Sequence, residues 1–237
     1  LERVLEAGGE RVSHLIFSLD GLEPTHDELR GLQGSFSRVI QCLEKAKECG
    51  LCCGVSSQLN RRNLRELETL TKILFLMGIE LWHVQLTEPF GRATSKLEFL
   101  LQPFEIPEAL ETLVRIKQLA DKSRVAFKAG NNIGYCTERS LALRTTNRGE
   151  SDFSGCQQGL HYLAIQSNGT IKGCASCEKG IGRVMSNITD RKLKDIWNDD
   201  EEFYWTRRWT ENLLWGFCRS CPHRLSCRGG CIQSSQA

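Results

Sequence analysis

Residues 218–231 read CRSCPHRLSCRGGC. The spacing is Cys218-x2-Cys221-x5-Cys227-x3-Cys231. Four thiols separated by short, unequal gaps are typical of a loop that folds around a metal centre, and the two glycines before the last cysteine let the backbone pass close to it. Thiolates bind both zinc and iron–sulfur clusters, and the spacing alone favours neither.

Further cysteines precede this run. Residues 163–172 predict a β-hairpin with a tight turn at Asn168-Gly169. Cys156 comes before the hairpin and Cys174 after it, so the hairpin is expected to bring these two thiols near each other. Because four ligands complete one site, the additional thiols predict two centres. Residues 193–203 predict a helix that packs its apolar side on this region.

The first half of the chain alternates strands and helices. The apolar patterns predict strands at 14–20, 51–59, 79–86 and 125–128, and helices at 35–47, 64–77 and 105–122, with Ser35 as an N-cap. This order indicates parallel βαβ units. A closed barrel needs roughly eight units, so preceding units are expected outside this sequence, with a self-sufficient open sheet as the alternative. The strand ends place Ser18, Asp20, Asn60 and Glu88 near a functional edge.

Composition limits the function classes. The chain has 31 Lys+Arg and 29 Asp+Glu, for a net charge of +2, which argues against a nucleic-acid partner. Its longest apolar run, 73–79, is too short to span a membrane. No signal peptide is evident, so the 12 cysteines indicate metal ligation in a reducing cytoplasm rather than a disulfide framework. Cys42, Cys49, Cys52 and Cys53 are predicted to pack in the core.

The cysteine pattern resembles a known family. Cys156-x12-Gly169-x4-Cys174 followed by the run at 218–231 resembles the auxiliary-cluster (SPASM) domain of radical S-adenosylmethionine (SAM) enzymes. FSLDG (17–21), HDELRG (26–31) and HVQLTEPFGR (83–92) are similar to the later part of the barrel of these enzymes. The resemblance implies an α/β fold, with the C-terminal part of a partial (β/α)6 TIM-type barrel over 1–130 and a small cysteine-rich α+β SPASM domain over 131–237.

The resemblance also implies a set of ligands. Two auxiliary [4Fe-4S] clusters are expected: one on Cys156, Cys174 and Cys231, with Cys136 as the candidate fourth ligand unless that position is open or taken by substrate, and one on Cys218, Cys221, Cys227 and a cysteine beyond this chain. Cys177 is an extra thiol that substitutes for a ligand or has no role. Ser18 and Arg30 are implied contacts to the ribose and carboxylate of SAM, because the planar guanidinium binds a carboxylate through two hydrogen bonds.

The family's C-x3-C-x2-C loop, which holds a third, catalytic cluster, is absent from the 237 residues. It is expected upstream of Leu1, so the chain is expected to be cut at both ends and inactive alone. The intact protein is expected to be a cytoplasmic radical SAM oxidoreductase or maturase that modifies a peptide or protein and takes electrons from a reductant such as flavodoxin or ferredoxin. The alternatives are a zinc-binding interaction module and a non-catalytic module for electron transfer or peptide binding.

Overall fold

The computed structural model describes residues 12–130, 133, 138–144, 155–176, 186–232 and 234, together with Arg3, Glu6 and Gly8. The chain forms two compact units, residues 1–150 and residues 151–237. No helix in the described part is both long and apolar enough to cross a membrane.

Unit 1 contains a four-stranded sheet with its helices. The strands are β1 (His14–Ser18), β2 (Cys52–Leu59), β3 (Leu81–Leu86) and β4 (Ala126–Ala129), and the helices are α1 (Glu23–Arg30), α2 (Ser35–Glu48), α3 (Leu67–Leu76), α4 (Ile106–Lys122) and α5 (Glu138–Arg144). Short 3-10 turns cover Leu64–Glu66, Gly91–Ser95, Leu97–Phe99 and Pro103–Glu105. The strands lie in the order β1-β2-β3-β4 and every neighbouring pair is parallel. The predicted parallel α/β arrangement is confirmed.

The core of unit 1 lies on one face of this sheet. Trp82 is fully buried there, with its ring edge-on to Phe75 and Phe127, and its indole N–H donates to Ser57 Oγ at 2.9 Å. Leu43, Leu74 and Leu113, from three helices, are also fully buried. Full burial of a large apolar side chain contributes roughly 2–3 kcal/mol, so this layer determines which face of the sheet the helices cover.

Helix α1 has a polar contact surface, and sequence patterning did not predict it. Its buried residues are Thr25, His26 and Asp27, so it has no apolar stripe. The Glu66 carboxylate accepts hydrogen bonds from the Leu22 N–H at 2.8 Å and the Thr25 hydroxyl at 2.6 Å. Hydrophobic periodicity detects helices that bury apolar side chains, and α1 is held by hydrogen bonds instead.

The start of α2 differs from the prediction. Gly34, with φ +73°, is the N-cap, and the predicted cap Ser35 is the first helical residue. The Asp27 carboxylate accepts the backbone N–H groups of Gly34 and Phe36 and so performs the capping from α1. These hydrogen bonds, that from Phe36 first, lower the pKa of Asp27. The cap comes from another helix, which a local sequence signal does not reveal.

Unit 2 is built from short elements. They are β5 (Ala164–Ile165), β6 (Ile171–Lys172), α6 (Leu193–Trp197), α7 (Tyr204–Arg207), α8 (Phe217–Ser220), α9 (Arg224–Cys227) and a 3-10 turn at Glu211–Leu213. β5 and β6 form the predicted antiparallel hairpin. Gln166 N–H donates to the Thr170 carbonyl at 2.9 Å and Gly169 has φ +82°, so the turn spans three residues rather than two. The helix predicted over 193–203 ends at Trp197.

The four cysteines of the first third divide between core and surface. Cys53 is 1% exposed, and burial raises the pKa of its thiol. Cys42 is half-buried, whereas Cys49 and Cys52 are exposed. Core packing was therefore wrong for those two residues. Cys49 follows the last turn of α2, and Cys52 opens β2 beside exposed His14.

Candidate functional site

Three cysteines that are distant in the sequence lie close together in unit 2. Burial raises the pKa of the Cys156 thiol above its ordinary value of 9.0, and charge on Cys231 and Cys174 raises it further. Cys156 and Ile232, the residue after Cys231, also line one cavity, and Gly173, the residue before Cys174, lies against Gln158. The structure therefore groups the thiols to which the family resemblance assigns the first auxiliary cluster.

The backbone around Cys156 suits a charged sulfur. The N–H groups of Gln158 and Ile232 donate toward the Cys156 sulfur and lower its pKa, opposing the effect of burial. The thiolate is the form of cysteine that binds metal, and hydrogen bonds to it stabilise that form. The chemistry of this donor set fits a metal or iron–sulfur group.

Glycines allow the chain segments of this group to approach one another. Gly155, with φ +80°, precedes Cys156, and a Cβ atom there would lie 2.9 Å from the Cys227 carbonyl oxygen. Gly173 precedes Cys174, and its missing side chain leaves room for Gln158. The hairpin strand, the Cys156 segment and the C-terminal cysteine run thus pack directly on one another.

The remaining described cysteines of the run lie on two short helices. Cys218 is in α8, Cys221 follows that helix, Cys227 ends α9, and all three are half-buried. The Cys221 N–H donates to the Cys218 carbonyl at 3.4 Å, which turns the chain tightly between the two thiols. A Cβ atom at Gly230 would lie 4.0 Å from the Cys227 sulfur, so the backbone passes close to that thiol, as the glycine pair predicted.

Two predicted thiols, Cys136 and Cys177, lie outside the described residues. Among the residues described, no group of three or more His, Cys, Asp or Glu side chains is arranged to hold a metal ion. The thiols of unit 2 are therefore neighbours in this structure without standing in ligand geometry.

In unit 1, Ser18 and Arg30 lie at one end of the sheet. Ser18 is the exposed last residue of β1, and Arg30 ends α1. An Arg30 NH2 nitrogen contacts Asp20 Oδ2 at 2.6 Å, and the Asp20 side chain is 6% exposed. Arg30 is thus already held by a buried carboxylate, which fixes where its guanidinium lies.

A hydrogen-bond network surrounds Asp20. Its Oδ1 accepts the Gln58 N–H at 2.9 Å, its own N–H donates to His26 Nδ1 at 3.1 Å, and its carbonyl accepts from the Asn63 side chain. Burial lowers the pKa of His26 below 6.5, so the ring is neutral at neutral pH, as an accepting Nδ1 requires. Asp20 therefore ties β1 to β2, α1 and Asn63.

The two other strand-end residues have different surroundings. Asn60 is 1% exposed, and its N–H donates to Asn63 Oδ1 at 2.8 Å, so it belongs to the loop that supports Asp20. Glu88 is half-buried just beyond β3, where its carbonyl accepts the Phe90 N–H at 2.7 Å. Neither observation gives these residues a direct functional role.

A row of polar side chains crosses the face of the sheet opposite the buried core. The register pairs Ser18 with Ser56, Ser56 with His83, and His83 with Lys128. The residues before them in each strand face the helices, so these four point to the opposite side. Because neighbouring strands are about 4.8 Å apart, the row spans about 14 Å. We call it the Ser18–Lys128 row.

Within this row, His83 lies beside the positively charged Lys128. Burial lowers the pKa of His83 below 6.5, and the charge of neighbouring Lys128 lowers it further. The imidazole is therefore neutral at neutral pH and can both donate and accept a hydrogen bond. With Lys128 and the two serines, the row offers donors and one positive charge to a ligand.

Replacing Lys128 with methionine is expected to raise the pKa of His83 while leaving it below 6.5, because burial remains. A lowered pKa means that the native chain binds fewer protons than the unfolded chain. The stability contributed by His83 is thus complete above pH 6.5 and is lost as the pH falls through its native pKa. An NMR titration of the imidazole protons measures this. Exposed Lys72→Met, on α3, is the control, and an unchanged His83 pKa in Lys128→Met would contradict the interpretation.

Ser56, His83 and Lys128 are not among the site residues that the sequence predicts. Each lies within a predicted strand and alternates with buried neighbours. The two-residue period therefore predicts that all three lie on the face opposite the core. What the period does not contain is the register, which makes these residues neighbours of Ser18.

Comparison with known proteins identifies the cysteine-rich region. Residues 156–222 match the family model of SPASM, described as an iron–sulfur cluster-binding domain. The chain carries a SPASM domain. The match starts at Cys156 and includes the hairpin, Cys174, Cys218 and Cys221. It confirms the resemblance to radical SAM enzymes with a SPASM domain that the sequence motifs indicated.

Similarity extends beyond the SPASM domain. The chain is 26% identical over 235 residues to an AdoMet-dependent heme synthase of Oleidesulfovibrio alaskensis, covering 97% of this chain and 58% of that protein. It is 24% identical over 234 residues to a PqqA peptide cyclase of Xanthomonas axonopodis, covering 96% and 57%. The chain thus spans less than two thirds of the length of these relatives.

The fold is similar to that of Streptococcus suis SuiB, solved in complex with S-adenosylmethionine. The TM-score is 0.66 at 18% identity, over 92% of this chain and 49% of that one. SuiB bound to its precursor peptide SuiA matches with a TM-score of 0.65. At this identity the likeness concerns the fold.

Proposed function

We propose that this chain supplies the auxiliary iron–sulfur clusters and part of the SAM site of a radical SAM/SPASM enzyme that modifies a peptide or protein. The observation that carries the proposal is the match of the SPASM model to residues 156–222, which include Cys156 and Cys174, together with the packing of the Cys156 segment against the C-terminal cysteine run. A cysteine sulfur that accepts two backbone N–H groups, as that of Cys156 does, suits a cluster better than a buried, inert thiol.

The proposed ligands follow the two thiol groups. Cys156, Cys174 and Cys231 would hold one [4Fe-4S] cluster, with Cys136 as the candidate fourth ligand, and Cys218, Cys221 and Cys227 would hold the second. Bound clusters would supply sites for electron transfer or substrate ligation. The protein contributes thiolates, burial and hydrogen bonds, which tune the clusters and exclude water.

Unit 1 is proposed to bind SAM at the carboxyl ends of its strands. Its sheet would be part of a partial (β/α)6 barrel that precedes the cysteine-rich domain. Arg30, oriented by Asp20, would bind the SAM carboxylate through two N–H groups, and Ser18 would contact the ribose. The Ser18–Lys128 row would extend this surface toward the substrate, where Lys128 favours an anionic group.

A peptide substrate is supported by the PqqA peptide cyclase and by SuiB in complex with its precursor peptide. The whole protein would then cleave SAM reductively and abstract hydrogen from the peptide, with electrons from a flavodoxin or ferredoxin. The catalytic cluster would be bound outside these 237 residues, which lack C-x3-C-x2-C.

A porphyrin is the second candidate substrate, because the similarity to AdoMet-dependent heme synthase covers 97% of this chain. Porphyrin carboxylates would also suit Lys128. The two substrates are separated by titrating the cluster-loaded chain with a carboxylated iron porphyrin and recording its Soret band. A shift that saturates at one equivalent supports the porphyrin, whereas an unchanged band favours the peptide.

The proposal is tested by anaerobic reconstitution of the chain with iron and sulfide, followed by metal and sulfide analysis. Two clusters predict about eight iron atoms and about eight sulfides per chain, with a brown colour. A colourless protein with stoichiometric zinc and no sulfide would instead establish the zinc-binding module. Reconstitution with zinc alone, compared by thermal unfolding, shows which metal the folded chain prefers.

A further inference from the structure

A small cavity in unit 2 lies against the first group of thiols. Its lining comprises Cys156, Trp205, Thr206, Trp209, Arg228 and Ile232. Trp205, Thr206 and Trp209 are on the segment that follows α6, Arg228 lies within the cysteine run, and Ile232 follows its last cysteine. The cavity therefore lies where the Cys156 segment meets the segment after α6 and the C-terminal cysteine run.

Trp209 presents an unusual polar atom in this lining. Its indole nitrogen Nε1 is buried and makes no hydrogen bond to any group in the described part of the chain. Burying a donor without an acceptor is unfavourable, and native proteins rarely keep one without a purpose. The indole N–H is therefore available to an acceptor that a bound cofactor would supply.

The other cavity-lining side chains offer few acceptors. The hydroxyl of Thr206 already donates to the Gln158 and Phe203 carbonyls, at 2.8 and 3.1 Å. Arg228 carries donors only, and Ile232 has no polar side-chain atom. The sulfur of Cys156, a proposed cluster ligand, also lines the cavity and is an acceptor there.

We propose that the Trp209 indole N–H donates a hydrogen bond to a sulfur of the centre held by Cys156, Cys174 and Cys231, and thereby raises the reduction potential of that centre. The inference rests on the proposed function, since it requires a cluster on these thiols. A hydrogen bond to sulfur stabilises the reduced, more negative form of a cluster more than the oxidised form. Trp209 would be a tuning residue rather than a ligand.

Arg228 reinforces this arrangement. Its guanidinium carbon lies 5.5 Å from the centroid of the Trp209 ring, a cation–π contact, and its Cβ packs against the Gly155 position. The contact helps to hold the indole in place at the cavity. The positive charge acts in the same direction as the hydrogen bond, because it also favours the reduced cluster.

The test is Trp209→Phe in the whole reconstituted chain. Phenylalanine keeps an aromatic face for Arg228 but has no N–H. We expect the midpoint potential of one cluster, followed by EPR during a redox titration, to shift to more negative values while that of the second cluster stays unchanged. Trp205→Phe is the matched control, because it changes the same cavity without removing the orphaned donor, and we expect no shift.

A second measurement needs no variant. Electron–nuclear double resonance of the reduced wild-type chain in H2O and D2O is expected to show an exchangeable proton coupled to one cluster, and 15N-indole labelling assigns it to tryptophan. Equal potentials in wild type and Trp209→Phe, or no such coupling in the wild type, would overturn the inference while leaving the clusters in place. Failure of the wild-type chain to assemble any cluster would overturn the proposed function itself.

Discussion

Replacing Cys156 with serine is expected to halve the iron content of the reconstituted chain, a loss of about four iron atoms. The Cys156 sulfur accepts backbone N–H groups from Gln158 and Ile232. Charge on Cys231 and Cys174 raises the pKa of its thiol. A serine hydroxyl stays protonated at neutral pH and is a poor ligand for soft metal centres. Iron and sulfide analysis, with the EPR spectrum of the reduced protein, measures the loss.

Two further variants show that the loss is specific. Cys49→Ser removes an exposed thiol from unit 1 and is expected to leave the iron content unchanged. Cys218→Ser is expected to remove the other cluster, so its residual EPR spectrum should differ from that of Cys156→Ser. Full iron content in Cys156→Ser, or an equal loss in Cys49→Ser, would be incompatible with the assigned ligands. Circular dichroism of the metal-free variants checks that each one folds.

Replacing Asp20 with alanine is expected to lower the free energy of unfolding by about 3 kcal/mol. The change removes the carboxylate that pairs with Arg30 and accepts the Gln58 N–H. The guanidinium and this N–H then lose their partner at a largely buried position. Arg30 keeps 29% side-chain exposure, so water compensates part of the loss and the estimate stays at the low end for a broken buried pair. Urea unfolding monitored by tryptophan fluorescence measures the difference.

The same variant is expected to weaken SAM binding by the cluster-loaded protein, because Arg30 loses the contact that orients it. The control is Glu68→Ala, which breaks the exposed pair of Arg115 and Glu68 and should cost less than about 1 kcal/mol. Asp20→Asn keeps the shape and an acceptor for Gln58 while removing the charge, so it should fall between the two. A destabilisation by Asp20→Ala no larger than that by Glu68→Ala would refute the buried role of Asp20.

Elements with an apolar period were predictable. The four strands and the helices α2, α3 and α4 bury regularly spaced apolar residues, and their bounds agree with the prediction to within a few residues. Helix α1 was missed because its buried side chains are polar and its partner Glu66 lies far along the chain. The helix predicted over 193–203 ends at Trp197. Glu202 and Phe203 are buried beyond that point, where this helix does not continue.

The sequence by itself determined the class of the fold and identified cysteine thiolates as the candidate metal ligands, because hydrophobic period and cysteine spacing are local properties of the chain. Only the tertiary structure decided which side chains became neighbours. Register set Ser18 beside Ser56 and His83 in line with Lys128, and the packing of α1 set Arg30 against Asp20. The same holds for the 12 cysteines: the close approach of Cys156 to Cys174 and Cys231 depends on chain crossings at glycine positions. Such contacts join residues far apart in the chain, and no local pattern encodes them.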